Sequence, residues 1–515
     1  MKIIRSVLSV GGFTVLSRIT GFVRETLQAH YIGVNVVSDA IGIAIKVPSL
    51  FRRIFAEGAF NASFVPMFSG VLATEGRKEA LNFAQNIFSL LCFVLLGLTI
   101  VVELLLPNLI PMLFRGLGQT PERLLLTIEF SKITFPFLFF ISLTAFFSGI
   151  LNSFERFVAA AASPAAGNLF IIACMLYLSP TVKSAGYALA WGVLGCGVVQ
   201  FLWVFVPCKM SDISVKITWP KITPSLRKFF KIMLPAALGS GVVQINLFLD
   251  IMIASYLKVG GISYMNYADR LAQLPLSVIG VAMSTVLLPT LSKHWRKKES
   301  QKALETQTIA IESSLALAVP AMVGLIMLAP FLIEHLYQHG EFKASDIAPT
   351  SHTLMALASG LPAYILVKLF STVFFSNGDT KTPMWIGLGC MALNVALNLI
   401  LIGSMEYVGL ALSTSVASWT QTLLMGTILR KRKMLDLKHI IQSFCPRLFV
   451  SIGLLILYIK FINPWVELAL TRITVSSWIL LPGVLGLAFG VYMLIAYATG
   501  TFHFGKIQSK LNSIN

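Results

Sequence analysis

At 515 residues, 56% hydrophobic and only 12% charged, with a mean hydropathy of +0.81, the chain lacks the roughly 25% charged fraction of ordinary globular proteins. A bilayer span takes about 20 apolar residues, so this length is consumed by helices, leaving no room for a soluble catalytic domain or a nucleic-acid-binding module. The 40 Lys and Arg against 22 Asp and Glu give a net +18, and an all-α polytopic membrane protein must place that excess somewhere.

In chain order, apolar helices are expected near 7–30, 36–71, 82–106, 124–151, 157–179, 184–207, 229–257, 264–292, 311–335, 350–376, 383–403, 407–429, 442–462 and 477–500, about fourteen in all. Lys2 and Arg5 precede the first, but Arg18 and Arg24 interrupt its apolar run and no small-residue cleavage site follows. A first transmembrane helix is therefore expected, not a removed leader. Short cytoplasmic loops concentrate Lys and Arg. With a cytoplasmic amino terminus the inner segments hold 25 basic residues and the outer loops 7, and the inverted topology reverses that ratio. Both termini are expected in the cytoplasm. Cys92, Cys174, Cys196, Cys208, Cys390 and Cys445 show no disulfide or metal-knuckle spacing and read as small packing residues.

Eight basic residues fall inside predicted spans: Arg18, Arg24, Lys46, Arg52, Arg53, Lys132, Arg270 and Lys368. An Arg at a span centre costs about 2.5–3.5 kcal/mol on insertion scales, so each needs a partner or a purpose. Arg18 shares a helical face with Glu25 and Asp39 with Lys46, seven residues apart in each case, and Arg53 and Glu57 are an i, i+4 pair. Arg24, on the face of Ser17, and Arg52 have no such local acid, and Arg270 and Asp269 are adjacent residues pointing about 100° apart. These three arginines are the candidates for a cationic site, and a guanidinium fork suits phosphate or carboxylate. Gly21, Pro48 and Gly58 interrupt the helices that carry it and permit bending.

An internal repeat is visible. Pro66 and Ser69 recur as Pro289 and Ser292 at an offset of 223, Pro136 as Pro362 at 226, and Asn152 as Asn377 at 225. This suggests two pseudo-symmetric six-helix lobes, 1–210 and 211–433, plus two extra helices and a short tail in 434–515. Six being even, the lobes share one orientation, the arrangement of transporters with parallel repeats and a midplane site. A second polar group lies later in the chain. Asp250 sits deep in the seventh helix with no Arg nearby in sequence, Asn394 and Asn398 share a face of the eleventh, and Thr414 is on the twelfth. Acid, amide and hydroxyl oxygens suit a monovalent cation or a protonation site, while a protonated Asp250 with Asn residues as interhelical glue is the structural alternative.

SRITGFVRE (17–25), SDA (38–40), KVPSLFRRIFAEGAFNASFVP (46–66), YADRLAQLPLSVIGVAMSTVLLPTLS (267–292) and GDTKTP (378–383) closely resemble the MurJ/MviN family of lipid II flippases, of the multidrug/oligosaccharidyl-lipid/polysaccharide exporter superfamily. The resemblance spans all the expected helices. It implies that the undecaprenyl-diphosphate-linked peptidoglycan precursor is flipped from the inner to the outer leaflet of the bacterial cytoplasmic membrane by alternating access. It assigns the central cavity to Ser17, Arg18, Arg24, Asp39, Arg52, Arg53, Glu57, Asp269 and Arg270. Glu25 departs from the family, where Asp is frequent. The last two helices resemble the family's extra pair, implied to form a groove for the polyprenyl tail. Gly483, Gly486 and Gly490 suit close packing of the last one.

Implied partners are the lipid-linked precursor, membrane lipids and other cell-wall synthesis proteins, with no nucleic acid. No cofactor or resident metal is expected, and coupling to the membrane potential or to a monovalent cation is. Gly500, Gly505 and Lys506 have Walker A spacing without its Ser/Thr or following helix. His335 and His339 with Glu334 read as helix-end packing sooner than a zinc site. The alternatives are export of another polyprenyl-linked oligosaccharide and, further off, a cation-coupled multidrug exporter, which would want an acidic cleft. An enzyme acting on such lipids would need sizeable outer loops, and these are short.

Overall fold

A computed structural model describes residues 2–53, 60–213, 215–221, 223–473 and 477–502. The described chain is helical and contains no strand, as a bilayer demands, since a helix satisfies its own backbone polar groups where no water can. Two compact units form. Unit 1 runs to Ser263 and takes in His339–Lys343, and unit 2 holds Tyr264–Gln338 and the chain from Ala344.

Unit 1 is built from α1 (Lys2–Tyr31), α2 (Val36–Phe51), α3 (Asn61–Thr74), α4 (Arg77–Leu113), α5 (Pro121–Thr134), α6 (Phe137–Ser153), α7 (Phe157–Leu178), α8 (Ala185–Lys209) and α9 (Pro224–Ala254). Local signals set the starts: Asn35 and Ser38 form a reciprocal capping box on α2, and Thr223 caps α9 ahead of Pro224. α1 lies on α7, α7 on α8, α8 on α6, and α2 on α5. The core between α3, α4, α6 and α8 is aromatic, with Phe64, Phe68, Phe146 and Phe147 fully buried and the Phe64 and Phe146 rings 5.0 Å apart. α9 packs against α3 and α4 and so falls in unit 1. The repeat lobes are proposed from sequence kinship, which packing units need not follow.

Unit 2 follows with α10 (Gly261–Pro275, whose first turn lies in unit 1), α11 (Val281–Arg296), α12 (Ser300–Met327), α13 (Ala329–Tyr337), α14 (Ile347–Ala358), α15 (Leu361–Ser376), α16 (Lys381–Lys431), α17 (Leu437–His439), α18 (Cys445–Leu457), α19 (Asn463–Ile473) and α20 (Ser477–Ala498). Helix contacts here use small residues and hydroxyls. Ser415 donates to the Ala356 carbonyl at 2.7 Å and Thr422 to that of Ala363 at 3.2 Å, and the Tyr492 hydroxyl of α20 reaches the Ala316 carbonyl of α12. α16 is 51 residues long and breaks at Glu406, which is non-helical with φ 48°.

Ten helices among the described residues are long and apolar enough to cross a membrane. The expected fourteen is not reached by that measure. α16 counts once although it breaks in two. Large apolar side chains lie open on both units, including Leu104, Tyr177, Phe449 and Leu494, as lipid-facing surfaces require. Of the six free cysteines five are buried, and Cys445 is half-buried.

Candidate functional site

The cationic face of unit 1 is organised by a residue the sequence did not single out. Asn168 of α7 sits against α1, its amide nitrogen donating to the Ser17 carbonyl at 3.1 Å and to the Thr20 hydroxyl at 3.4 Å, while its oxygen accepts from Arg24 Nη1 at 3.0 Å. Arg24 Nη2 meets Glu25 Oε1 at 2.8 Å. Gly21 faces the same amide, a Cβ there standing 3.4 Å from the Asn168 nitrogen, an ordinary van der Waals contact. Ser17 takes part through its backbone.

The expectation of no local acid for Arg24 is therefore corrected: Glu25 is its ion-pair partner. Adjacent helical positions diverge, but two long side chains on a lipid- or cavity-facing helix can curl toward each other where no water competes. The Arg24 side chain is 24% exposed and Glu25 10%, so the pair is a partly neutralised cation with accessible N–H donors.

Arg52 closes α2, its backbone N–H directed at the carbonyls of Pro48 and Ser49. The backbone of Arg52 stays helical, with φ −56° and ψ −46°. Arg52 is half-buried and Arg53 exposed. Arg24 and Arg52 both act electrostatically on buried Cys196 of α8, which brings the two guanidinium groups to one region of unit 1. Arg18 is exposed and Ser17 half-buried on the same helix as Arg24. Glu57 lies outside the described residues.

Asp39 is fully buried at the start of α2. Its carboxylate accepts from the backbone N–H of Gly260 at 2.8 Å and of Ser263 at 3.0 Å, and from the Ser263 hydroxyl at 2.7 Å. Arg123, 1% exposed, stands 3.5 Å away and donates to the carbonyls of Ser255 at 2.9 Å and Leu257 at 3.0 Å. The acid thus faces the N-terminus of α10 and the cation the C-terminus of α9, each matching a helix dipole. Lys46 is not the partner of Asp39, because seven residues of helix separate them by about 10 Å along the axis. Arg123 and Ser263 were not legible as a pair, since 140 residues of sequence separate them and Arg123 reads as an ordinary loop cation.

In unit 2, Asn398 donates to the Asn394 amide oxygen at 3.3 Å and Asn394 to the Thr414 hydroxyl at 3.5 Å, so these three polar residues do converge. Asp250, in unit 1, accepts from Asn246 at 3.5 Å. Asp269 and Arg270 are exposed on α10, with Asp269 accepting from Gln273. His335 faces its own helix, Nδ1 lying 2.9 Å from the Phe331 carbonyl, and no cluster of three metal-ligating side chains occurs among the described residues.

With this geometry in hand, the comparisons with known proteins are consistent. The family model described as "Lipid II flippase MurJ" matches residues 28–476. The chain is 35% identical over 506 residues to "Probable lipid II flippase MurJ" of Rhizobium meliloti (strain 1021), covering 97% of this chain and 94% of the relative. It is 32% identical over 436 residues to "Lipid II flippase MurJ" of Burkholderia cenocepacia, covering 84% of each. A solved structure titled "Lipid II flippase MurJ, inward closed conformation" superposes with a TM-score of 0.76 at 29% identity, covering 95% of this chain and 97% of that one. An inward-facing multidrug resistance MATE family transporter shares the fold alone, with a TM-score of 0.70 at 15% identity.

Proposed function

The chain belongs to the lipid II flippase MurJ family, and on that premise we propose that it moves the lipid-linked peptidoglycan precursor across the bacterial inner membrane by alternating access. The observation that carries the reading is Arg24 held by Glu25 and Asn168, with Arg52 within electrostatic reach of the same Cys196. A diphosphate presents the oxygens a guanidinium fork binds, and the Glu25 carboxylate holds Arg24 in a partly desolvated place until a better anion arrives. Binding then exchanges one charge-assisted contact for another instead of burying a bare cation.

Arg18 and Arg53 add to the same positive face, Ser17 helps to seat Asn168, Asp39 is proposed to hold the α9–α10 turn, and Glu57 and Asp269 are proposed as gating acids. Arg270, on α10, is proposed as a further anion-binding residue. Asp250, Asn394, Asn398 and Thr414 are proposed as cation ligands or a protonation site. Both termini are placed in the cytoplasm. The precursor's two negative charges leaving an inside-negative cell would gain about 4.6 kcal/mol per 100 mV, so the membrane potential is proposed to assist export.

The test is depletion of the protein followed by assay of which leaflet holds the precursor, with Arg24→Ala and Arg52→Ala supplied in its place. Accumulation on the inner leaflet at normal protein abundance is the expected result. Normal distribution in cells carrying either variant would remove the anion-binding role.

A further inference from the structure

A crevice of about 790 Å³ opens in unit 1 where the end of α6, the start of α7 and the second half of α8 meet α1, sharing no lining residue with the arginine face. Its walls are apolar, including Phe13, Phe157, Ala159 and Leu202. Around its mouth Val158, Leu202, Trp203 and Val206 are each about half exposed, so it opens onto the lipid-facing surface. Its size falls within the roughly 300–1,000 Å³ of ligand pockets.

Two charged residues line it, Glu155 and Arg156. They are held in place by the turn that ends α6: Glu155 is left-handed with φ 59°, and Arg156 N donates to the Leu151 carbonyl at 2.9 Å. Arg156 also donates to the Ser211 hydroxyl, which fixes one branch of its fork and leaves further N–H donors on a guanidinium. Arg77 is committed elsewhere, to the Ser211 carbonyl and the face of Phe154. An apolar slot at a helix end, with one cation and one anion at its rim, complements a molecule that has an alkyl chain, a phosphate and an ammonium a few bonds away.

We propose that this crevice is a binding site for phosphatidylethanolamine, with an acyl chain between α7 and α8, the phosphate on Arg156 and the ammonium on Glu155. The primary ammonium matters, since its N–H groups donate to a carboxylate and a choline headgroup's cannot. The site is independent of what the protein transports.

The test is native mass spectrometry of the full-length protein in detergent, offered equal amounts of phosphatidylethanolamine, phosphatidylglycerol and phosphatidylcholine. Retained phosphatidylethanolamine should exceed either competitor about fivefold, the upper value of an exposed ion pair. Glu155→Gln should bring the ratio to phosphatidylglycerol down to about one, and Arg156→Gln should abolish retention of all three. Ala159→Trp, or the surface variant Leu202→Trp if the first does not fold, should block every lipid while elution volume and helical circular dichroism stay unchanged. Equal retention of the three lipids, a phosphatidylglycerol preference, or a ratio indifferent to Glu155→Gln in folded protein would overturn the proposal.

Discussion

Single residues decide whether the intramembrane charges can be tolerated. Arg24 stands out in the sequence because a cation in an apolar run demands explanation, but Asn168 does not, being one amide in a 22-residue apolar helix. Replacing Asn168 with Leu removes the acceptor of Arg24 and the donor to Ser17, and is expected to lower stability by about 1–3 kcal/mol. Thermal unfolding in detergent measures this, and an unchanged midpoint would deny Asn168 its bridging role. A second residue-scale device joins α1 to the 339–343 loop. Gly33 (φ 66°) and Gly340 (φ 62°) pack reciprocally, a Cβ on the first meeting the Glu341 carbonyl at 2.3 Å and on the second the His30 carbonyl at 2.2 Å. Gly33→Ala should cost more than the about 1 kcal/mol of an ordinary glycine replacement, and faster proteolysis within 339–343 would report it. Neither glycine could be ranked from sequence among the chain's 37, because the need arises from a contact between distant segments.

At the scale of elements, legibility depends on whether the cause is local. The break between spans 383–403 and 407–429 was readable, and the non-helical residue Glu406 sits in that gap. What GDTKTP does was not readable. Asp379 accepts from Thr382 N at 2.9 Å and Thr382 Oγ1 at 2.7 Å, and pairs with Arg432 at the far end of α16 at 2.7 Å. The Thr382 backbone N–H, then its hydroxyl and the Arg432 guanidinium, hold the Asp379 carboxyl down at about 2, against an ordinary 3.8. A depressed carboxylate stabilises fully above its ordinary value and ceases to as pH falls through its folded one, so this clasp should weaken between about pH 4 and 2. Asp379→Asn is expected to be less stable at pH 7 by up to about 1 kcal/mol, the value of a partly exposed ion pair, and to lose less than the parent on acidification. Parallel pH profiles of the unfolding midpoint would contradict that account.

Over the whole molecule, fold class followed from composition alone, since apolar length leaves helices as the economical way through a bilayer. The count was less accessible, because two spans can run on as one helix with a break, as α16 does at Glu406. The basic-loop asymmetry makes a topological prediction of its own. In intact cells a membrane-impermeant maleimide should label Lys343→Cys and spare Lys302→Cys, with low background because five native cysteines are buried. The opposite pattern would invert the topology.

The clasp around the α9–α10 turn has one more consequence. Arg123 and Asp39 grip that turn mainly through main-chain groups, the carbonyls of 255 and 257 and the amides of 260 and 263, while Tyr256, Lys258 and Val259 point outward. A grip of this kind is blind to side chains. Mutational drift should run freely at 256 and 259 and halt at Gly260, whose φ of 93° suits glycine, and at Ser263, whose hydroxyl is itself gripped.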